Sequence, residues 1–501
     1  MNSLYTNLSY VNLMRMLPGA ALFAILYFVY LGITNPLSHI PGPWYTRFTA
    51  IPSTYKRYAA RHPVWIHELH AKYGPIVRFS PLHVDICDLP TSQHIHGVQT
   101  GFHKTLFYAD LVPDSSNVFT ETRPDVHAKY KRLLAQPMSE TGLRVFYSRI
   151  DSHSRLAIEG MRNEYKTRGA ADIAKWFTLF SYDCIGDLVF GQSFDTLKTG
   201  TMSQSVQDFA MMGYVSNLRI TFPILSRLAK YLPIPVFKDA RALQQRTVDY
   251  AQQSLDRYAE RVKGTSFESH PTLFSSLYSA GEEKKLTPIQ MRDNAQVYIV
   301  GGTDTTATTL VYLIWSVCKN PQIRSRLLKE LGTLPDDYTY DSQLKDLTYL
   351  NWIIQETLRL YSALPAGLPR LVPAGGEKLA GYYVPGGLTV TTQAYSLHRD
   401  EKAFPDPDRF YPERWEYPTQ RMKDCFLAFG AGARTCSGRN LAMIELRLMV
   451  SRFFKAFPEA LASGLEGMSD GDMIPALYFL VMPSGHRCLM NLSGENVPKI
   501  F

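Results

Sequence analysis

The chain has 501 residues, of which 45% are hydrophobic and 20% charged, and this composition allows one large packed domain or two to three ordinary ones. The net charge of +8 is spread along the chain without dense Lys/Arg blocks, which disfavours a nucleic-acid groove and fits a solvated face, an acidic protein partner or a membrane surface. The six cysteines are scattered without a C-x-x-C pair, so they indicate neither a disulfide framework nor a zinc site and favour a reducing compartment.

The first element in chain order is an uncharged apolar stretch from Met16 to Ile33. As a helix it would span roughly 27 Å at about 1.5 Å per residue, which just reaches across a bilayer. No clean small-x-small cleavage site follows it, so we favour a retained transmembrane anchor over a cleaved signal peptide. Residues 1–15 would then be luminal. The basic residues after the anchor place the remainder in the cytosol by the positive-inside rule; they are Arg47, Lys56, Arg57 and Arg61.

Residues 34–50 form a proline-rich hinge, in which Pro41-Gly42-Pro43 cannot continue a helix. From residue 51 to residue 501 there is no repeat, low-complexity linker or break in composition, which indicates a single catalytic domain. Helical patterns dominate its middle. Strand-like segments are fewer: "IVRFS" from Ile76, "GYYVP" and "LTVTTQ" between Gly381 and Gln393, and "ALYFLVM" around Leu477. The predicted fold class is mainly α with small β-sheets.

The clearest helix begins at Thr287, which is an N-cap residue followed by a proline and, three residues on, by Gln290. It is predicted to end near Asn320, and its apolar sides predict that it runs buried through the domain centre. Its middle reads "GGTDTT", from Gly301 to Thr306, a pattern that is typical of a weakened or bent helix. The same pattern would leave room for a flat ligand and admit water beside an acid, Asp304, and an alcohol, Thr305.

Further along, Glu356 and Arg359 have the i,i+3 spacing that places two side chains on one helical face. An exposed ion pair is the ordinary interpretation of such a spacing. Here the surrounding residues are apolar, and a buried pair needs additional hydrogen-bond partners. The segment "YPERW" offers one in Arg414.

The segment "FGAGARTCSG", from Phe429 to Gly438, places three glycines around Cys436. A lone cysteine is ordinarily a small core residue. Here Gly430 and Gly432 permit a tight turn and close approach of the backbone to a flat ligand. A helical pattern follows at once, and the dipole at a helix N-terminus favours a thiolate. The loop therefore predicts an anionic sulfur ligand, with Arg434 able to pair with a carboxylate of the bound group.

This segment resembles the F-x-x-G-x-R-x-C-x-G haem-binding loop of cytochromes P450. Ser437 departs from the apolar residue that most members have after the cysteine. The resemblance runs from the Pro41-Gly42-Pro43 hinge to the C-terminal strands, and it implies the P450 fold behind an N-terminal transmembrane helix. It assigns Cys436 as the axial ligand of the iron of haem b. It also assigns Asp304 and Thr305 to proton delivery during dioxygen activation.

Other site residues follow from the same resemblance. Glu356, Arg359 and Arg414 match a structural cluster that supports the haem-binding loop. Arg370 and Arg434 match arginines that reach haem propionates. His127 and Lys131 stand where many members have a Trp and an Arg four residues apart. Phe429 and Gly430 belong to the haem-binding loop itself.

The resemblance implies a monooxygenase that inserts one oxygen atom of O2 into a lipophilic molecule. Electrons would come from NADPH through cytochrome P450 reductase, because too little chain follows the haem loop for a further domain. The enzyme would be a single-pass protein of the endoplasmic reticulum membrane with a cytosolic catalytic domain. Candidate reductase-facing residues are Lys129, Arg132, Lys423 and Arg439.

The general pattern is similar to that of fungal P450s of secondary metabolism, and family position suggests an apolar pocket. Its candidate wall residues are Phe107, Tyr108, Leu111, Val297, Val300, Ala366, Gly367 and Leu477 to Phe479. Two alternatives keep the cysteine loop: a haem-thiolate isomerase or dehydratase, and a non-catalytic haem-binding protein. Neither needs the Asp304-Thr305 pair. A purely structural membrane protein explains none of the motifs.

Overall fold

The structure is a computed structural model that describes residues 18–19, 22–23, 25–263, 271–278 and 286–493. Helices dominate it. We number them α1 to α20: 25–33, Ile51–Tyr58, His62–Tyr73, Leu89–His96, Phe107–Leu111, Pro124–Ala135, Glu140–Leu143, Tyr147–Arg168, Ile173–Phe190, Thr196–Thr199, Gln204–Thr221, Pro223–Leu228, Pro235–Arg261, Ser275–Tyr278, Pro288–Cys318, Pro321–Leu331, Thr348–Leu360, Ala394–Leu397, Gln420–Cys425 and Arg439–Ala456. Short 3-10 turns lie at Trp44–Arg47, Arg144–Phe146, Pro412–Trp415, Gly432–Arg434, Leu465–Gly467 and Asp470–Met473, and one π turn lies at Tyr340–Leu344.

The strands are short. We number them β1 to β12: Ile76–Ser80, His83–Ile86, His103–Lys104, Ala171–Asp172, Arg370–Leu371, Glu377–Leu379, Tyr382–Val384, Thr389–Thr391, Leu461–Ala462, Pro475–Leu477, Val481–Pro483 and Leu489–Asn491. The largest sheet has the order β1-β2-β8-β5-β3, in which only β2 and β8 run parallel. The prediction of a mainly α fold with small sheets is confirmed.

Helix α15 crosses the main hydrophobic core, where it packs against α9 and α20. The predicted capping box forms: Thr287 Oγ1 accepts from the N–H of Gln290, and Gln290 Oε1 accepts from the N–H of Thr287. The helix is continuous from Pro288 to Cys318, without the interruption that the paired glycines suggest. Neighbouring helices provide enough packing to override the weak local propensity.

One strand prediction differs from the structure. The run "ALYFLVM" forms an antiparallel hairpin of β10 and β11, in which Leu477 pairs with Val481. The turn between them lacks the Gly, Asn or Pro that ordinarily signals a hairpin, so the apolar sequence gives no sign of it.

The predicted anchor lies partly outside the described residues, because positions 1–17, 20, 21 and 24 are not described. Helix α1 is apolar, and its side chains are exposed except at residue 32. Within the described part of the chain, every helix is too short or too polar to cross a membrane.

Residues 35–46, in the predicted hinge, are bound to the sheet through Arg78 of β1. The Arg78 guanidinium is buried, and it donates to the carbonyl oxygens of Leu37, Ile40 and Pro43 at 2.8, 2.7 and 3.2 Å. Asn35 extends the attachment by donating to the carbonyl of Pro81 at 2.9 Å. The segment is therefore part of the folded body, and it fixes where the chain enters the domain.

Candidate active site

Cys436 lies at the end of a tight loop, two residues before the N-cap of α20. Its N–H donates to the carbonyl of Phe429 at 2.8 Å, which closes the loop. Gly432 has φ 61°, and a Cβ built there would lie 1.8 Å from the carbonyl oxygen of His96. Only glycine fits such an approach, so the loop packs directly on the backbone at the end of α4.

The surroundings of the Cys436 sulfur act in opposite directions. The pKa of the thiol is raised overall, because enclosure by protein raises it by more than the N–H group of Gly438, the charge of Lys131 and the N–H group of Arg439 lower it. The cysteine forms no disulfide and is solvent-accessible. Backbone donors aimed at a sulfur stabilise a thiolate that ligates a metal.

Beside the loop lies a group of cationic and imidazole side chains, which we call the cationic cluster. Its members are Lys104, His127 and Arg370, which are buried, and Arg434, which is half-buried. Burial, followed by the charges of Arg434 and Arg370, lowers the pKa of Lys104 to about 6. Burial and then Arg434 lower the pKa of His127 to about 3, which makes it a neutral imidazole. At neutral pH Arg370 and Arg434 therefore carry most of the positive charge of the cluster, and the nearby carboxylate of Glu121 offsets part of it.

Hydrogen bonds within the protein satisfy only some of the N–H donors of this cluster. Arg370 donates to the hydroxyl of Tyr108 and to the carbonyl of Pro369, and Lys104 donates to the carbonyl of Phe119 at 2.5 Å. Arg434 Nη1 is buried without a hydrogen-bond partner. Its neighbour Lys131 turns away from the cluster, because Lys131 Nζ donates to the carbonyls of Ala433 and Thr435 at 2.8 and 3.1 Å.

These residues fit a haem. An orphaned arginine N–H in a buried cluster of cations suits the two carboxylates of the macrocycle, and a nearby cysteine capped by backbone N–H groups suits its iron. Gly301 of α15 also leaves space for a flat group, since a Cβ built there meets no atom within 4 Å.

Asp304 and Thr305 follow Gly301 on α15, but they differ in their contacts. Thr305 Oγ1 donates to the carbonyl of Gly301 at 2.8 Å. Burial raises the pKa of Asp304 to about 7, so that its carboxyl group is close to half protonated at neutral pH. The Asp304 carboxyl faces α11, where a Cβ on Gly213 would lie 3.7 Å from Oδ2.

A second acid lies next to this pair. Thr306 Oγ1 donates to Oε2 of Glu445, a residue of α20 that is 1% exposed, at 3.0 Å. Glu445 Oε1 has no partner, and burial raises the pKa of this carboxyl group to about 8. The sequence gives no spacing signal for this contact, because the two residues lie on different helices.

Glu356, Arg359 and Arg414 do form a cluster, which we call the balanced cluster. Glu356 Oε1 accepts from Arg359 Nη2, Arg414 Nε and the N–H of Tyr411 at 2.8, 3.0 and 2.9 Å. Oε2 accepts from Arg359 Nε at 2.9 Å and from the Trp415 indole at 3.0 Å. Glu356 and Arg359 are fully buried, and the remaining arginine N–H groups donate to carbonyls of residues 398–409.

His398 connects the balanced cluster to the cysteine loop. Burial lowers the pKa of its imidazole to about 3, so the ring is neutral. Its Nδ1 lies 2.8 Å from the carbonyl of Arg359 and therefore donates, while Nε2 accepts from the N–H of Leu427 at 2.8 Å. Leu427 precedes the loop by two residues, so the cluster sets where the loop begins.

A cavity of about 500 Å³ lies between α2, the first two strands, the end of α11 and the segment 364–371. Six of the predicted wall positions line it: Phe107, Ala366, Gly367 and Leu477 to Phe479. Tyr108 and Leu111 are instead buried in a small cluster, and Val297 and Val300 pack on the main core. The lining is more polar than the expected apolar pocket.

The family model of cytochrome P450 matches residues 41–467. The chain belongs to the cytochrome P450 family. The chain is 42% identical over 475 residues to Cytochrome P450 monooxygenase tazI of Aspergillus terreus, covering 94% of this chain and 97% of that protein. It is 39% identical over 464 residues to Cytochrome P450 monooxygenase orf2 of Aspergillus niger, covering 92% and 94%. A third relative is Cytochrome P450 monooxygenase azaI of Aspergillus niger, 38% identical over 440 residues, which cover 83% of this chain and 93% of that protein.

This P450 is therefore a monooxygenase, with a haem that has a cysteine thiolate ligand and with NADPH-derived electrons that arrive through a reductase. The structure brings Arg370, Arg434 and His127 into one cluster beside the Cys436 loop. Sequence reasoning missed Lys104, which joins them, and His398, which positions the loop.

Proposed function

We propose that this P450 inserts one oxygen atom of O2 into a lipophilic small molecule of fungal secondary metabolism, with electrons supplied by NADPH-cytochrome P450 reductase. The observation that carries the proposal is the pairing of a sulfur capped by two backbone N–H groups with a cationic cluster in which one arginine nitrogen has no hydrogen-bond partner among the described residues. Fungal monooxygenases among its relatives support the metabolic assignment.

In this proposal Cys436 binds the haem iron. Arg370 and Arg434 bind the propionates, with Lys104 and neutral His127 as further donors. When bound, the haem supplies the chemistry that activates dioxygen. The chain's own contribution is to hold the sulfur as a thiolate, to offset the two carboxylates, and to close the proximal side through Phe429 and Gly430.

Asp304 and Thr305 act as the proton-delivery pair. A carboxyl group with a pKa near 7 holds a proton at neutral pH and releases it readily, which suits a proton donor. Thr305 is adjacent and already donates within the helix, so its hydroxyl can change partners without any movement of the backbone.

We also propose that the protein is a single-pass protein of the endoplasmic reticulum membrane, with residues 16–33 as its anchor. Exposed apolar side chains of α1 support contact with lipid, and Trp44, Ile51 and Ile224 extend this apolar surface at 74%, 73% and 71% exposure. The reductase would dock on the basic face beside the cysteine loop, where Arg132, Lys423 and Arg439 are exposed and Lys129 is half-buried.

The thiolate assignment is tested by the spectrum of the reduced, CO-treated protein. We expect the wild type to absorb at the position characteristic of thiolate-ligated haem and Cys436→Ala to lose that band. Cys425→Ala is the matched control, because Cys425 is a buried cysteine outside the loop. An unchanged band in Cys436→Ala would overturn the proposal.

The proton-delivery pair is tested by the coupling of NADPH consumption to product. Thr305→Ala is expected to keep haem and substrate binding but to release more peroxide. For Asp304 the donor form is present below its pKa of about 7 and is lost as the pH rises through it, so coupling should fall across that range. Asp304→Asn should flatten this profile. Unaltered coupling in Thr305→Ala would argue against the proton-delivery role of the pair. The absence of any NADPH-coupled product in the wild type would instead favour a haem-thiolate isomerase, a dehydratase or a haem-binding protein.

A further inference from the structure

The cavity described above carries a positive charge without a carboxylate partner. Its charged and imidazole lining residues are Arg57, His62, His83, Asp85, Asp110 and Arg227. Both carboxylates are already engaged. Asp85 accepts from His70 Nε2 at 2.8 Å and from the hydroxyl of Thr391, and Asp110 accepts from Arg227 at 2.7 Å.

Arg57 stands apart from these pairs. Its Nη1 donates to the carbonyl of Ile220 at 3.2 Å, and no carboxylate among the residues that the structure describes lies within 4.0 Å of its guanidinium. Burial lowers the pKa of Arg57 to about 10, so the side chain is still a cation at neutral pH. A half-buried guanidinium with a single neutral acceptor retains several N–H donors for a ligand.

The two histidines of the lining do not supply a further charge. Burial first and the charge of Arg57 second lower the pKa of both, to about 4 for His83 and well below the usual value for His62. Each neutral ring is fixed by a serine: His62 Nε2 lies 3.1 Å from Ser53 Oγ, and His83 Nδ1 lies 2.6 Å from Ser80 Oγ. Arg57 therefore remains the unpaired charge of the described lining.

A second unsatisfied polar group lies beside Arg57. Asn217 lines the same cavity, and its Oδ1 is buried without a hydrogen-bond partner among the residues that the structure describes. Asn217 is three residues before Ile220 on α11, so both face the Arg57 side of the helix. Of the amide atoms of Asn217, Nδ2 supplies a further N–H donor beside those of the guanidinium, whereas Oδ1 can only accept.

We propose that the substrate of this P450 carries a carboxylate, which Arg57 binds with Asn217 beside it. The inference rests on the proposed function, because it takes this cavity as the substrate cavity of a monooxygenase. The apolar body of the substrate would lie against Phe107, Leu368 and Phe479, which line the same space. One guanidinium and one amide suit a planar carboxylate better than a phosphate, for which a site normally gathers more than one cation.

The test compares two probes of one skeleton, lauric acid and lauramide, by equilibrium dialysis against the haem-loaded full chain at neutral pH. A charge-assisted bond to Arg57 should make the ionised acid bind about tenfold more tightly than the neutral amide. Arg57→Gln should remove this preference by weakening acid binding alone. Lys56→Gln is the control, since it removes one positive charge from the neighbouring position of α2, outside the cavity lining, and should keep the preference.

Equal affinity of the wild type for acid and amide would overturn the proposal, and so would a preference that survives in Arg57→Gln. If Arg57→Gln binds neither probe, Arg57→Lys is measured in the same way. A restored preference for the acid in Arg57→Lys supports the proposal, and a continued lack of preference rejects it. Binding needs neither electrons nor O2. If the protein prefers the acid but forms no oxygenated product, the proposed function is wrong. If it forms an oxygenated product but does not prefer the acid, only this inference is wrong.

Discussion

The balanced cluster contacts the start of the cysteine loop through His398, and the cationic cluster includes Arg434 of that loop; the two clusters differ in how far their charges are paired. Around Glu356, each carboxylate oxygen accepts an N–H from Arg359 and at least one further donor. Around Arg434, buried cations lower one another's pKa, and one guanidinium N–H has no partner. A complete network stabilises the fold, whereas an incomplete one is built for a ligand that brings the missing charge.

The largest expected effect comes from breaking the balanced cluster. In Glu356→Gln the buried guanidinium of Arg359 loses its counter-charge, and the free energy of unfolding should fall by about 3–5 kcal/mol. Chemical unfolding followed by tryptophan fluorescence measures it. Glu416→Gln makes the same change at an exposed position close by and should cost less than about 0.5 kcal/mol. Equal stabilities of the two variants would show that the cluster is not structural.

The second prediction concerns the cationic cluster, from which one positive charge is removed. Arg434→Gln should leave the fold intact, because it removes a guanidinium that has no ion pair within 4.0 Å among the described residues, but it should weaken haem retention. Loss of one charge-assisted pair should speed haem transfer from the holoprotein to apomyoglobin about tenfold to a hundredfold. Arg439→Gln removes the same charge from an exposed position of α20. Equal transfer rates in both variants would contradict the propionate role of Arg434.

The smallest expected effect is a pH dependence of the same transfer. Without an anion, Lys104 has a pKa of about 6, and propionates beside it would raise this value. Haem binding above that pH then takes up a proton, so haem affinity should fall and transfer should accelerate as the pH rises from neutral. Lys104→Met should flatten this dependence. A slope that is unchanged in Lys104→Met would assign the proton to another group.

The parts of this site that could be predicted from sequence are those whose determinants lie within one turn or one loop. Glu356 and Arg359 are separated by three positions of one helix, and the α15 cap is set by Thr287 and Gln290. Lys104 and Arg434 come together only through tertiary packing, so no spacing in the chain could signal their contact.

Local sequence patterns also predicted the structure less well where tertiary packing overrides the helix propensity of a segment. The glycines and threonines of "GGTDTT" predict a weak point, yet α15 stays continuous because α9 and α20 pack along it. The cavity is more polar than family position suggested, since Arg57, Asn217 and His83 come from separate elements and meet only in the folded protein.

The hydrogen bonds from Arg78 to the N-terminal segment have a practical consequence for truncating this enzyme. Shortening the N-terminus to aid purification should stop before Asn35, whose side chain bridges the carbonyls of Arg47 and Pro81. A chain that began after Pro43 would leave a buried guanidinium stripped of three acceptors at the edge of the main sheet. The proline-rich segment therefore sets the N-terminal limit for truncation of the folded domain.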